Sequence, residues 1–189
     1  TKLDVLPSTL SFLRGALREA VASGTSKRIA WLKDFDVSAK TGTAQTCSLS
    51  IEQKYKHLLE HAWFAGYFSY KGKYSDELIR ARKALEGFEK LSESTRVKAC
   101  YHTHSGTNLG NNAVSLKDLL SERNPHHIGA FADTGHLALN GGPIRMELEI
   151  LKPWLSILAI KDIVWSKKES GWVYNVAPAG TGIVKWTDA

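Results

Sequence analysis

The sequence predicts an α/β fold. Its longer, C-terminal part reads as βαβ units around a parallel sheet, and its N-terminal part as a helix followed by an antiparallel β-hairpin. Three observations carry this. After residue 73, segments with helical periodicity alternate with strand-like segments. Those strand-like segments are short and mostly apolar, as strands covered on both faces are. Before residue 73, two segments rich in β-formers, "FDVSAKTGTAQT" and "HAWFAGYFSY", follow one amphipathic stretch.

The elements follow in order. "PSTLSFLRGALREAVASGT" has a Ser/Thr start signal after Pro7, with Leu10, Leu13, Leu17 and Val21 at helical spacing and Gly24 at the end. "CSLSIEQKYKHLLE", between the two β-rich segments, reads as a loop or a short helix. "SDELIRARKALEGFEKL" is a strong helix with Leu78, Ala81, Leu85, Phe88 and Leu91 on one side. "RVKACYHTHSG" is a strand, "AVSLKDLLSE" a helix, "HHIGAFAD" a strand and "IRMELEILKPWL" a helix. "LSILAIKDIVW" reads as one buried strand, and "WVYNVAP" as a last strand or a hairpin arm. No internal repeat or low-complexity segment is present.

Bulk properties narrow the function classes. The 189 residues suffice for one ordinary domain or two small ones, with 43% hydrophobic and 23% charged residues. No run of about 18 apolar residues exists, so no membrane span is expected. The chain starts at Thr1 without Met, which reads as a processed, engineered or truncated start. Cys47 and Cys100 are too few and too scattered for a disulfide framework or a zinc site and are read as reduced. The net charge of +6 comes almost entirely from residues 1–73, which hold 11 basic and 6 acidic side chains. No basic stripe with interleaved aromatics accompanies it, so no nucleic-acid partner is expected. Trp63, Trp154, Trp165, Trp172 and Trp186 are spread too widely for a base-stacking platform and are read as packing residues. His57, His61, His126 and His127 are read as loop or surface residues.

Two stretches carry chemistry. In the first, "LREAVASGTSKRI", "VSAKTGTAQT" and "HAWFAGYFSYKGK" succeed one another. Over residues 8–73 this resembles the end of a penicillin-binding transpeptidase domain, whose Lys-Thr-Gly-Thr strand lies beside the nucleophile. The resemblance implies a carboxylate-binding role for Lys40, Thr41, Gly42 and Thr43, and a periplasmic or cell-envelope location. The nucleophile of that family sits in Ser-x-x-Lys, with a second motif Ser-x-Asn. No serine in this chain has Lys three residues on or Asn two residues on. A nucleophile needs its base within hydrogen-bond reach, so this segment is expected to be inert.

In the second stretch, "YHTHSG", "GAFADTGHLALNGGP", "LSILAIKDIVW" and "VAPAGTGIVKW" follow one another. From about residue 75 onward the series resembles the sugar-phosphate isomerase/epimerase group of TIM barrels, which includes xylose-isomerase-like enzymes. The fold expected is therefore a partial TIM-barrel-like set of βαβ units, with the site at the C-terminal ends of the strands. The resemblance implies Asp133, His102 and His104 as metal ligands and His136 and Lys161 as catalytic residues, with His136 alternatively a second ligand. His102 and His104 alternate along a strand and so point to one face. A divalent ion such as Mn²⁺, Mg²⁺ or Zn²⁺ suits a His/carboxylate set. The implied substrate is a small sugar or sugar phosphate, the reaction proton transfer next to a carbonyl, and the location cytoplasmic. Asp162 is expected to anchor a loop.

Some parts of that pattern are missing. The strand "KACYHTHSG" carries no acid where metal-dependent members have Glu, and Ala159 stands where a His often precedes Lys-Asp. The expectation is thus two parts, residues 1–73 and 74–189, joined as a chimeric or truncated chain that is not catalytically competent alone. The alternatives are a penicillin-binding D,D-transpeptidase fragment with a remnant peptide-carboxylate or β-lactam pocket, and a recombinant scaffold without activity. Exposed strand edges lead to an expected homo-oligomer.

Overall fold

The structure, a computed structural model, describes residues 8, 16, 37–44, 61–68, 70 and 72–188. The helix expected over residues 7–25 and the loop expected over 47–60 lie outside the described residues, apart from Ser8 and Ala16, which are both helical.

One five-stranded sheet organises the chain, in the order β1 (Val37–Ala44), β2 (His61–Phe68), β3 (Ala99–His102), β4 (Ile128–Asp133), β5 (Leu155–Ala159). β1 and β2 pair antiparallel, from Val37 opposite Phe68 to Ala44 opposite His61. From β2 onward every pairing is parallel, with Phe64 opposite Ala99, His102 opposite Phe131 and Asp133 opposite Ala159. The hairpin thus extends the same sheet that carries the βαβ units. A parallel four-strand array with helical crossovers matches a partial TIM barrel, whose strands all end on one face.

Helix α1 (Tyr74–Thr95) connects β2 to β3 and buries Ala81, Ala84, Leu85 and Phe88; of the stripe read from the sequence, Leu78 and Leu91 are only partly buried against the same core. It stops where Arg96 turns into the left-handed region at φ 59°, its N–H bonded to Ser92 O at 2.8 Å. Helix α2 (Ala113–Leu120) starts from a reciprocal cap between Asn112 and Ser115, and buries Leu116, Leu119 and Leu120. The two short helices α3 (Thr134–Leu139) and α4 (Ile144–Leu151) lie between β4 and β5. Glu147, buried in the first turn of α4, accepts the N–H of Ala113 at 2.7 Å and so caps α2 from a neighbouring helix. Ile128, Ala130, Ala132, Leu137 and Leu151 complete a core with no solvent exposure at these positions. Among the described residues no helix is long and apolar enough to cross a membrane.

The single buried strand expected over 155–165 is corrected by the structure. β5 ends at Ala159, and β6 (Asp162–Lys168) pairs antiparallel with β7 (Gly171–Ala177) in a separate two-stranded sheet. Leu155, Leu158 and Ile160 are 37%, 43% and 60% exposed, so the segment forms the open edge of the main sheet instead of its interior. The break has a local cause. The Lys161 N–H bonds to Thr134 Oγ1 at 2.9 Å, and the next residue, Asp162, is captured by a distant loop. "WVYNVAP" is a hairpin arm. Trp154 and Trp186 pack on the core as read, but Trp165 and Trp172 stand 44% and 66% exposed on the hairpin. Cys100 is a free, buried thiol whose pKa burial pushes up; Cys47 lies outside the described residues.

Candidate metal centre

The site forms where β3 and β4 end. The register that sets His102 opposite Phe131 brings the last residues of both strands to the same end of the sheet. His102 closes β3, and the chain then leaves strand geometry through Thr103, His104 and Ser105. Asp133 closes β4 and is at once the N-cap of α3, its Oδ1 accepting the N–H of His136 at 3.1 Å. Lys161 arrives two residues after the end of β5.

These residues converge. His102, Asp133 and His136 present donor atoms that all lie within 4.8 Å of one another. Asp133 Oδ2 is 2.6 Å from Lys161 Nζ and 3.4 Å from His102 Nε2. Ser105 Oγ lies 2.9 Å from His136 Nδ1. The ring of His104 stacks on His136 at 4.1 Å and meets His102 edge-on at 5.7 Å. Phe131 flanks His102 at 4.6 Å, and Tyr67, at the end of β2, flanks His104 at 4.9 Å. Tyr67 belongs to the segment read as transpeptidase-like, yet it walls the histidine cluster.

Electrostatics prepare the cluster for a cation. Asp133 is only 2% exposed, and burial alone would push its pKa up. Hydrogen bonds from His102 and Lys161, with the Lys161 charge, outweigh that and hold the carboxyl well below the usual carboxylate range. Burial, with the Lys161 charge, pushes His136 down to about 3, so its imidazole is neutral at pH 7. Burial lowers His104 as well. An ionised carboxylate beside neutral imidazole is the protonation state metal ligation requires. Ser105 fixes His136 in the manner of the outer groups that orient ligating histidines. The donor set therefore fits a divalent ion.

A second carboxylate builds the floor beyond Lys161. Asp162 has no solvent exposure and accepts the N–H groups of Ile163, Gly180, Gly182 and Val184 and the Trp186 indole N–H, at 2.9 to 3.1 Å. It ties "PAGTGIVKW" to the start of β6, the loop-anchoring role expected for it. These bonds hold its pKa below the usual range although burial acts the other way.

The sequence reading named His102, Asp133, His136, His104 and Lys161, and the structure gathers all five. His104 lies beside the three-ligand cluster and is not one of its three residues. Ser105, Thr134, Gly135 and Tyr67 were missed as site residues. Ser105 and Thr134 are the polar neighbours of the named histidines and aspartate, and that adjacency is the only signal for them. Lys40, Thr41, Gly42 and Thr43 occupy β1, with backbones paired to Ala65, Phe64, Trp63 and Ala62. Their side chains lie outside the described residues, so the carboxylate-binding expectation falls there too.

Comparison with known proteins adds the family. The pattern of the xylose isomerase-like TIM barrel matches residues 27–189, running through the boundary expected at residue 73. Nothing in the comparisons supports a penicillin-binding part or a chimera. No curated protein matches. Among solved structures the chain is similar to the probable 3-DHS dehydratase AsbF of Bacillus anthracis, involved in petrobactin synthesis. The match has 20% identity and a TM-score of 0.46 over 58% of this chain and 42% of that one. The chain thus spans under half the length of that structure. On the match over residues 27–189, this chain belongs to the xylose isomerase-like TIM barrel family.

Proposed function

We propose that the chain supplies the metal-binding part of an isomerase or epimerase acting on a small sugar or sugar phosphate. The observation that carries this is the His102–Asp133–His136 cluster, set at the strand ends where this fold places its chemistry. A bound divalent ion would polarise a sugar carbonyl and stabilise the negative charge that develops on its oxygen.

The chain's own residues take distinct parts in this reading. His102, Asp133 and His136 hold the ion. His136, with a pKa near 3, is too weak a base to accept a proton at neutral pH and serves better as ligand than as acid–base group. His104 Nδ1 lies 2.9 Å from the Ser105 carbonyl oxygen, which only accepts, and 3.2 Å from Asn108 Nδ2, which only donates. The shorter contact puts the proton on Nδ1 and leaves Nε2 a lone pair, with the Asn108 amide donating to the Ser105 carbonyl at 3.0 Å instead. We assign His104 the role of proton acceptor at the carbon next to the carbonyl. Lys161, 28% exposed, supplies an ammonium to a sugar oxygen. Tyr67 and Phe131 exclude water from one side.

The test is solvent-deuterium exchange. The protein, with Mn²⁺, is incubated in D₂O with a panel of ketoses, aldoses and their phosphates, and label is sought by NMR at the carbon next to the carbonyl. The reading expects incorporation that needs Mn²⁺ and is lost in His104→Ala. No incorporation from any member of the panel would defeat it.

A further inference from the structure

We infer that Lys161 is a built-in cation that occupies Asp133 in the metal-free protein, and that a divalent metal must displace it to bind. This rests on the metal reading above and concerns what the chain does before the metal arrives.

Asp133 has one carboxylate oxygen to offer. Oδ1 is committed to the N–H of His136 as the cap of α3. Oδ2 is the oxygen 3.4 Å from His102 Nε2, and Lys161 Nζ is already 2.6 Å from it. An ammonium and a divalent ion cannot share that oxygen without strong repulsion in a site this poorly solvated. A carboxylate that is 2% exposed also needs a cation when no metal is present, and Lys161 is the one that reaches it.

The lysine is held there by the residues between the aspartate and His136. Thr134 Oγ1 accepts the Lys161 N–H at 2.9 Å and donates to the Lys161 carbonyl at 2.6 Å, which fixes the backbone. Gly135 lies under the lysine stem. A Cβ at position 135 would come within 2.9 Å of Lys161 Cγ and 3.0 Å of Cδ, closer than the stem allows. Asp133, Thr134 and Gly135 thus take the charge, backbone and stem of Lys161 in turn, and His136 completes the ligand set. The Lys161 side chain is 28% exposed, so its ammonium has a way out toward solvent. Displacement by metal would release the ammonium toward that solvent side, free to meet a substrate oxygen. Metal loading and arming of the substrate-binding lysine become one event.

Isothermal titration with Mn²⁺ tests this on the wild-type protein, Lys161→Met and Gly135→Ala, each confirmed as folded by near-UV circular dichroism. Removing the competing charge in Lys161→Met is expected to tighten Mn²⁺ binding by about tenfold or more. Gly135→Ala keeps the ammonium but crowds its stem, and should tighten binding by a smaller factor. Equal or weaker Mn²⁺ binding in folded Lys161→Met would overturn the inference and leave the metal reading intact. If instead neither the wild type nor either folded variant binds Mn²⁺, the metal reading itself fails and the inference goes with it.

Discussion

The carboxylate of Asp133 accepts the backbone N–H of His136 at 3.1 Å, so one metal-ligand candidate caps the helix that carries another. Capping and charge separate by mutation. Asparagine caps as well as aspartate, whereas alanine loses about 1 kcal/mol of capping energy. Asp133→Ala should therefore be less stable than Asp133→Asn by about that amount, measured by urea unfolding. Equal stabilities for the two variants would remove the cap from the account.

Ser105 governs how His136 faces the cluster, through the 2.9 Å contact to Nδ1. Groups in that position typically change metal affinity by about 10–100-fold when removed. Ser105→Ala should weaken Mn²⁺ binding within that range while leaving the unfolding midpoint nearly unchanged, and Ser105→Thr should recover part of the loss. A titration curve identical to the wild type would show that Ser105 only fills space.

Asp162 holds the loop that follows β7. Its carboxylate receives four backbone N–H groups and the Trp186 indole in a site without solvent exposure. Removing the acceptor strands these donors, and breaking a buried charged arrangement of this type costs about 3–5 kcal/mol. Asp162→Ala should lose stability on that scale in denaturant titrations. It should also expose residues 178–186 to hydrogen exchange. A loss below about 1 kcal/mol, with the loop still protected, would contradict the assignment.

Acid should destabilise the metal-free protein in two stages. His136 is held neutral, its pKa about 3 against an ordinary 6.5, so the unfolded chain binds a proton that the folded chain refuses. Its contribution is complete above pH 6.5 and is lost as pH falls from there toward 3. Asp133 and Asp162, both held below the ordinary 3.8, stabilise above that value and lose their contribution as pH falls further. The melting temperature should decline from about pH 6.5 downward; burial lowers His104 in the same direction, so His136→Gln should make the first stage shallower without removing it. A flat profile between pH 6.5 and 4 in the wild type would contradict the burial assigned to His136.

The parts of this molecule that follow from local pattern were readable in the sequence. Leu78, Ala81, Leu85 and Phe88 recur at helical spacing because one face of α1 must meet the sheet. Asp133, His136, His102 and Lys161 were legible through the resemblance of "YHTHSG", "GAFADTGHLALNGGP" and "LSILAIKDIVW" to sugar-phosphate isomerases. Of the four, His102 and Asp133 are the ones that close strands, β3 and β4. The parts set by distant contacts were not readable. Nothing between Leu155 and Trp165 marks a turn. The chain breaks there because Thr134 takes the Lys161 backbone and because a loop some twenty residues on closes over Asp162. Trp165 and Trp172 look like core residues by type and stand exposed because β6 and β7 form a sheet of their own. Gly135 carries no mark of its own in the sequence; its part shows only where the stem of Lys161 lies across it. The Lys-Thr-Gly-Thr stretch carried a resemblance to a different enzyme class. Residues 40–43 lie within the family match over residues 27–189, on a strand that extends the same sheet.

Calorimetric titration of the metal-free protein and of Asp133→Asn with Mn²⁺ and Zn²⁺ tests the centre of this account. It predicts one divalent ion per chain at micromolar concentration in the wild type, with binding abolished in the Asp133→Asn protein although its fold is retained. No saturable heat from the wild type, or an unaltered isotherm from Asp133→Asn, would contradict it.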